Sequence, residues 1–364
     1  MQAVDINRLI RNKWLIGSAL LALALIALWV LNVSRPGTRI EGCAEGCATA
    51  GPRQEGPLRV MSLNMLHGFP RFAHLEKRLA LIAATIGEAD ADIVCLQEVP
   101  WHWGSAARRL AEATGLNYLY LRANGNRWAI LFEEGETILS RYPLRDAAFV
   151  ELEPQAGTFE HRVALRATVV TPQGPLRVFV THLTNGDRRV NQGQAASLAA
   201  FVARSREGPA VVAGDFNATE DEPQIQALGW VDTYRSAQPL DPGHTCCVDD
   251  LTAGPSEPLE KRIDYIFLLP SGQADVVSSQ RLLAQPTWTE DGWLWASDHA
   301  GVLSEIALSS PAPQSTNLLL AQSVDLADGD DKQYSRILAV QFTNYSLGCL
   351  DDSINLGLVL DYRE

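Results

Sequence analysis

Six short polar islands, each following an apolar run, contain the residue types that hydrolytic chemistry needs. They hold Asn64 in MSLNML, Glu98 in CLQEV, His182 in FVTHL, Asp215 and Asn217 in AGDFN, Asp264 in RIDYIF, and Asp298 with His299 in SDH. The sequence places each island at the C-terminal end of a predicted strand. Polar groups at strand ends, where loops converge on a cleft, indicate a functional arrangement, because folding alone does not require them there. Carboxylates, amides and two histidines can together bind a hard metal ion, move protons and orient water.

Two of these residues lie only two positions apart. Asp215 and Asn217 follow the apolar run PAVVAG. Alternate residues of a strand face the same side, so these two side chains would point together if the strand geometry continues.

The elements that must position the islands are mostly strands. Strand candidates follow one another in YLYLRA, TILSRYPL, RVALRATVV, LRVFVTHL, PAVVAGDFN, RIDYIFLL, DVVSSQRLL and GVLSEIAL, with Gly, Pro and Asp between them. Helical stretches are fewer. One has apolar residues at helical spacing, Leu75, Leu79, Ile82 and Ile86, and another runs from Gln192 to Arg206. This mixture predicts an α/β sandwich, in which two sheets pack face to face with helices outside.

In this order, the islands resemble the endonuclease/exonuclease/phosphatase superfamily over roughly residues 58–308. Any one island would occur by chance, whereas the ordered set is specific. The resemblance implies a four-layered α/β sandwich of two mixed sheets with outer helices and an active site at one edge. It also implies hydrolysis of phosphate esters by direct attack of water at phosphorus.

The resemblance further implies a Mg²⁺ site, with Mn²⁺ as a substitute. Glu98 would be the principal ligand, and Asn64 and Asp298 would complete or flank the ion directly or through water. Hard divalent cations prefer such oxygen ligands.

By the same resemblance, His299 would lie against the scissile phosphate, with Asp264 fixing its tautomer. Asp215 would orient or deprotonate the attacking water. Whether Asp215 or His299 is the general base stays open.

Three residues would contact the phosphate. Asn217 and His182 would donate hydrogen bonds to it. Arg162, in EHRVAL, matches a position where the family often has an arginine, although it could also form a surface pair with Glu160.

The expected substrate is a phosphodiester, in nucleic acid or in a phospholipid headgroup. A net charge of −13 argues against a broad basic surface for nucleic acid but does not exclude nuclease activity. Leu66 stands where the abasic-site branch has an Asp, and DFNATEDEPQ lacks the cations of inositol 5-phosphatases. A phosphomonoesterase and a catalytically silent, membrane-tethered binding domain remain alternatives.

Tryptophans that would border the site, or cover the sandwich edge, are Trp101, Trp103, Trp288, Trp293 and Trp295.

The N-terminal region predicts attachment to a membrane. Residues 1–13 would be cytoplasmic, 14–33 (WLIGSALLALALIALWVLNV) a transmembrane signal anchor, and 34–57 a linker before the catalytic domain at 58–308. A cleaved signal peptide is the rival interpretation. Basic residues before the apolar run favour a single-pass protein of a bacterial cytoplasmic membrane, with the domain facing the periplasm or exterior.

The cysteines and the C-terminal region carry less information. Cys43 and Cys47 could close a small loop, Cys246 and Cys247 are expected to be free or paired elsewhere, and Cys95 to be an inert buried thiol. Residues 309–364 form an acidic extension of unknown role, with strand-like ILAVQFTNY and INLGLVLDY. No protein partner is predicted.

Overall fold

The computed structural model describes residues 6–53, 55–205, 208–269 and 272–309, which belong to one compact unit, Met1–Ser310. The helices are α1 Ile6–Val30, α2 Leu75–Glu88, α3 Ala106–Thr114, α4 Arg127–Ile130, α5 Arg188–Ser205, α6 Pro223–Gln226 and α7 Thr233–Ala237. The strands are β1 Glu41–Cys43, β2 Leu58–Asn64, β3 Ile93–Trp101, β4 Asn117–Asn126, β5 Phe132–Ser140, β6 Leu144–Glu151, β7 Val163–Thr171, β8 Gly174–His182, β9 Ala210–Asp215, β10 Val231–Asp232, β11 Asp264–Leu268, β12 Ala274–Leu282, β13 Thr287–Thr289, β14 Gly292–Leu294 and β15 Gly301–Leu308.

The strands form two mixed sheets and a separate hairpin. The first sheet has the order β1-β4-β5-β3-β2-β15-β12, the second β10-β11-β9-β8-β7-β6, and β13 pairs with β14. Each large sheet contains one parallel pair, β2 with β3 and β8 with β9. A helix connects each parallel pair, as a parallel crossover requires, and these helices are α2 and α5.

Three apolar cores hold four layers together. The first lies between the sheets, where Val60 and Ile93 of one sheet belong to the same cluster as Val178 and Val211 of the other. The second joins the first sheet to α2 and α3. The third joins the second sheet to α5. The four-layered α/β sandwich expected from the sequence is therefore confirmed for residues 58–309.

The predicted helices are also present. In α2 the apolar residues at helical spacing are buried: Leu75, Leu79, Ile82 and Ile86. The second predicted helix is α5, which begins a little earlier, at Arg188, because Asp187 accepts hydrogen bonds from the first free backbone N–H groups.

The segment predicted as a linker, 34–57, lies along the first sheet. β1 pairs with β4, and the backbone N–H groups of Cys47 and Ala48 donate to the Asn117 side chain at 3.1 and 3.0 Å. Cys43 and Cys47 form the disulfide that the sequence suggested. The segment thus adds an edge strand to the domain.

Membrane crossing is not confirmed. Within the described part of the chain, no helix is both long enough and apolar enough to span a bilayer. The predicted acidic extension at 309–364 lies outside the described residues from position 310 onward.

The other cysteines give one correction. Cys246 and Cys247 are bonded to each other, so the expectation that they would be free or paired elsewhere is wrong. Cys95 is free and fully buried between the sheets, and burial raises the pKa of its thiol, as expected of an inert cysteine.

Candidate active site

The second sheet brings three predicted site residues together through strand register. His182 ends β8 and lies opposite Asp215, the last residue of β9, because these strands are parallel. Asp264 lies opposite Asp215 from the other side, because β11 runs antiparallel to β9. One expectation is therefore wrong: Asp264 begins its strand. The antiparallel direction of β11 turns a strand start toward the edge where the neighbouring strands end.

The first sheet contributes the remaining islands to the same edge. Asn64 ends β2, and Glu98 lies in β3, the parallel neighbour. Asp298 and His299 come just before β15, which is antiparallel to β2. They too precede a strand, for the same reason as Asp264.

Asn64 connects the two halves of the site. Its Nδ2 donates to Glu98 Oε1 at 3.1 Å and to Asp215 Oδ2 at 3.0 Å, while its Oδ1 accepts from the Leu66 N–H at 3.0 Å. A metal ligand must offer an acceptor, and this amide turns its donor toward the carboxylates. Asn64 therefore connects Glu98 to Asp215, and its assignment as a metal ligand stays a prediction.

Asp215 is the centre of the polar cluster. Its Oδ2 lies 3.4 Å from His182 Nε2 and 3.8 Å from His299 Nε2, and its Oδ1 accepts from the Asn217 N–H at 2.9 Å. Burial, followed by the charge of Asp264, raises the pKa of Asp215 to about 7. A carboxyl group with this pKa can accept a proton near neutral pH.

His299 is held by Asp264 as the sequence analysis expected. The distance from its Nδ1 to Asp264 Oδ2 is 2.8 Å, and its Nε2 is directed toward the Asp215 side of the site. Burial lowers the pKa of His299, but the carboxylates of Asp264, Asp215 and Asp298 outweigh burial and hold that pKa well above its ordinary value.

His182 has a different partner. Arg162 Nη1 lies 2.9 Å from His182 Nδ1, and since a guanidinium only donates, Nδ1 accepts in this contact. Burial and then the charge of Arg162 hold the pKa of His182 well below its ordinary value. Arg162 also donates to Glu160 Oε1 at 3.0 Å, so the suggested pair with Glu160 is formed, and its contact with a phosphate stays a prediction.

Two site residues adopt left-handed backbone conformations. Glu98 has φ 54° at a register shift between Leu96 and Val99, and Asn217 has φ 48°. The strand therefore does not continue to Asn217, contrary to the premise of the sequence prediction, although Asn217 Nδ2 still lies 3.0 Å from His182 Nε2. Such conformations cost about 1–3 kcal/mol for residues other than glycine, and they cluster at functional sites.

The donor set suits a hard divalent cation. Glu98 and Asp298 supply carboxylate oxygens on one side of the site. On the other side, the ligand atoms of Asp215, Asp264 and His299 lie within 4.8 Å of one another. Asp264 Oδ1 is buried and has no hydrogen-bond partner among the described residues, as expected of an oxygen that a cation or a substrate group would satisfy. Oxygen donors of this kind fit Mg²⁺ or Mn²⁺.

Sequence reasoning missed three residues around Glu98. The His67 N–H donates to Glu98 Oε2 at 3.1 Å, and its ring Nε2 lies 3.5 Å from the same oxygen. Glu134 and Glu136 are fully buried on one face of β5, and burial raises the pKa of both carboxyl groups. The available signal was the run FEEGET, which places carboxylates two apart in a strand.

Arg78 was also missed, and it fixes the loops that carry the site. Its buried guanidinium donates to the carbonyls of Met65 at 2.8 Å, Leu66 at 2.8 Å and Ala296 at 3.3 Å. These contacts join the loop after Asn64 to the loop before Asp298.

The predicted tryptophans divide between surface and core. Trp103 and Trp288 are exposed, and Trp288 makes an edge contact with Trp293. Trp295 is fully buried and donates to the Ala253 carbonyl at 3.0 Å, so its role is packing.

Comparisons with known proteins agree with this geometry. Residues 61–299 match the sequence profile of the Endonuclease/Exonuclease/phosphatase family. No curated protein sequence matches the chain significantly.

An endonuclease/exonuclease/phosphatase from Beutenbergia cavernae has 25% identity and a TM-score of 0.54, over 72% of this chain and 75% of that one. Bacteroides thetaiotaomicron mannosyl-6-phosphatase has 20% identity and a TM-score of 0.56, over 69% of this chain and all of that one. The human Nocturnin catalytic domain has 22% identity and a TM-score of 0.53, over 70% and 94%. The two structures below 25% identity support the fold alone.

Proposed function

This chain belongs to the endonuclease/exonuclease/phosphatase family, whose members hydrolyse phosphate esters, and from that premise we propose that it is a metal-dependent phosphodiesterase. The observation that carries the proposal is the meeting of both sheets at Asp215. Asn64 of the first sheet donates to it, and the two histidines flank it. A silent binding domain would not need this set of proton-transfer groups at one carboxylate.

We propose that Glu98 and Asp298 hold the metal ion, with Asn64 and His67 orienting Glu98. When bound, Mg²⁺ supplies a Lewis acid that offsets negative charge on the phosphate. The Asn64 amide and the His67 backbone N–H keep both oxygens of Glu98 in place. Asn64 thus acts as a positioning residue in this mechanism.

We assign the two proton transfers of the reaction to Asp215 and His299. Asp215, with a pKa of about 7, accepts the proton of the attacking water. His299, kept protonated by Asp264, donates toward the leaving oxygen, and its pKa favours this role over that of base. His182 Nε2–H and the Asn217 amide donate to a non-bridging oxygen as charge builds on it.

The charge of the site supports a diester over a monoester. A diester brings one negative charge, and a monoester brings up to two. Arg162, the arginine at His182, is already engaged with His182 and Glu160, and the carboxylates of Glu98 and Asp264 lie in the same site. Like charges disfavour a dianion in such a place.

The cellular location remains a prediction from the sequence. Attachment to a bacterial cytoplasmic membrane is supported by the uncharged run 14–33 and by exposed apolar side chains of α1, among them Trp14, Leu20 and Leu25. Membrane fractionation followed by alkaline carbonate extraction would test it, since release by carbonate would contradict an anchor.

The proposed activity is tested with the full chain purified in mild detergent. Hydrolysis of plasmid DNA, a phospholipid, bis(4-nitrophenyl) phosphate and 4-nitrophenyl phosphate would be compared in Mg²⁺ and in EDTA. We expect magnesium-dependent cleavage of at least one diester and slower cleavage of the monoester. Preference for the monoester would favour a phosphomonoesterase, and inactivity of a folded protein on every substrate would favour a binding role.

A further inference from the structure

The disulfide between Cys246 and Cys247 lies beside the imidazole of His299. Both sulfur atoms and one ring nitrogen of His299 lie within 4.8 Å of one another, and Cys246 forms an isolated antiparallel bridge with His299. Cys246 is fully buried, whereas Cys247 is exposed and lines a cavity together with Asn217. The disulfide is therefore next to the proposed acid on one side and open to solvent on the other.

The short segment that contains this disulfide holds the backbone on both sides of His299. The Val248 N–H donates to the Asp298 carbonyl at 3.0 Å, and the Ala300 N–H donates to the Thr245 carbonyl at 2.7 Å. These hydrogen bonds involve the residue before His299 and the residue after it. A change in the relative placement of Thr245 and Val248 would therefore shift the backbone of the acid.

Thr245 also holds the carboxylate partner of His299. It is fully buried, and its Oγ1 accepts hydrogen bonds from the backbone N–H groups of Ile263 and Asp264 at 3.3 and 3.2 Å. Asp264 Oδ2 in turn lies 2.8 Å from His299 Nδ1. One short segment thus contacts both members of the histidine–aspartate pair, and the disulfide lies in the middle of that segment.

The disulfide restricts this segment locally. A bond between adjacent side chains closes a small ring through the backbone, and the ring fixes the direction in which the chain passes from Thr245 to Val248. The stabilisation of a whole fold by a disulfide grows with the number of residues in the closed loop, so a loop of two adjacent residues adds least to it. The bond therefore acts on the geometry of the site more than on the free energy of unfolding.

We propose that the Cys246–Cys247 disulfide is a positioning element for His299, and that its reduction lowers the rate of hydrolysis. The inference rests on the proposed phosphodiesterase function and adds redox control of the same site. With the bond intact, the segment holds the His299 ring in its reactive orientation. With two free thiols, the two ends of the segment move more freely, and the ring spends less time in that orientation.

A dithiol such as dithiothreitol supplies the two electrons of the reduction. One of its thiolates attacks the sulfur of Cys247, the exposed residue, and breaks the S–S bond, and the released Cys246 thiolate takes up a proton. The second thiol of the reagent then attacks the mixed disulfide and releases the Cys247 thiolate, which is protonated in turn. The reagent leaves as a cyclic disulfide, so the protein gains two electrons and two protons.

The test uses the full chain with Cys43→Ser, Cys47→Ser and Cys349→Ser, so that only Cys95 and the bonded pair remain. Hydrolysis of bis(4-nitrophenyl) phosphate in Mg²⁺ is measured before reduction, after dithiothreitol and after reoxidation. We expect reduction to lower kcat at least about tenfold and to leave KM within about twofold, because the acid is displaced while substrate binding is kept. Reoxidation should restore kcat, and the midpoint of thermal unfolding should be the same in both forms.

A second variant is the matched control. Cys246→Ser with Cys247→Ser in the same background should give the low kcat of the reduced enzyme, with no response to dithiothreitol. Thiol alkylation in denaturant, followed by mass spectrometry, should find Cys95 as the only free thiol before reduction. An unchanged kcat on reduction would overturn the proposal, and so would free thiols at both positions after treatment with oxidised glutathione.

NMR signals of the imidazole rings separate this inference from the proposed activity. The His299 signal, assigned by its absence in His299→Ala, should shift on reduction at constant pH. The signal of His161, whose partner is Glu151, should not shift. A shift of the His299 signal without hydrolysis in either form would contradict the proposed function and support the positioning role of the disulfide. An unchanged His299 signal would overturn the inference whatever the activity.

Discussion

His182 and His299 lie on opposite sides of Asp215, and their surroundings differ in charge. Both rings are almost fully buried, at 3% and 5% exposure. Burial lowers the pKa of each, yet the pKa of His182 lies well below the ordinary value and that of His299 well above it. The difference comes from the neighbours, which are Arg162 for one ring and Asp264 for the other. Burial is therefore the larger cause of the lowered pKa of His182, with Arg162 adding to it, whereas the neighbouring carboxylates override burial at His299.

This contrast divides the work of the site between the two histidines. A neutral ring with hydrogen on Nε2 can donate to a phosphate oxygen without giving up its proton. A protonated ring can transfer a proton to a leaving group. Two residues of one type thus serve as a fixed donor and as an acid.

Removal of each imidazole ring in turn is the strongest test of the different roles of His182 and His299. We expect His299→Ala to lower kcat by at least about a thousandfold, because an acid is lost, and His182→Ala by about a hundredfold, because one donor to the phosphate is lost. Glu98→Gln should abolish magnesium-dependent hydrolysis, as its charge is needed at the ion. Circular dichroism would verify the fold of each variant. Wild-type rates for Glu98→Gln and His299→Ala would show that the site assignment is wrong.

A smaller change separates His299 from its partner. Asp264→Asn removes a charge that raises the pKa of His299, so that pKa should fall. If protonated His299 is the acid, activity declines above its pKa, and the alkaline limb of the pH–kcat profile should move to lower pH. We expect a loss of about a hundredfold at pH 8. Glu151→Gln, which cuts the similar His161–Glu151 contact of 2.7 Å elsewhere, should leave the profile unchanged.

Arg162→Met tests the other histidine. Because Arg162 lowers the pKa of His182, its removal should raise that pKa, which NMR titration of the ring nitrogens would detect. The ring would also be free to change tautomer, and kcat should fall about tenfold. Arg162→Lys keeps the positive charge and should show a smaller rise in pKa. An unchanged titration of His182 in Arg162→Met would contradict the role of the arginine.

Much of this arrangement was predictable because apolar runs and polar islands alternate along the chain. The islands identified Asn64, Glu98, Asp215 and His299, and the apolar runs identified the strands that carry them. The direction of each strand was not predictable from the runs alone. Asp264 was therefore placed at the wrong end of its strand, although it was assigned to the site.

Features set by tertiary neighbours could not be deduced from the sequence. The donor orientation of the Asn64 amide depends on the Leu66 N–H. The bond between Cys246 and Cys247 likewise depends on local backbone geometry that composition does not encode. Glu134 and Glu136 were overlooked because carboxylates on the buried face of a strand are rare.

The smallest expected effect is on protein stability, and it concerns two carboxylates of β5, Glu136 and Glu133. Burial and nearby carboxylates hold the pKa of Glu136 well above its ordinary value, so the folded protein keeps a proton that the unfolded chain loses near pH 4.5. The stability contributed by this group is therefore complete at low pH and is lost as the pH rises toward the raised folded-state pKa. Glu136→Gln should increase the free energy of unfolding at pH 8 relative to pH 5 by on the order of 1 kcal/mol, measured by urea denaturation. Glu133, on the same strand, is ion-paired with Arg122 and Arg127, so Glu133→Gln should lower stability at both pH values. If Glu136→Gln lost stability at pH 8 as Glu133→Gln is expected to do, Glu136 would be ionised in the folded protein and the raised pKa would be contradicted.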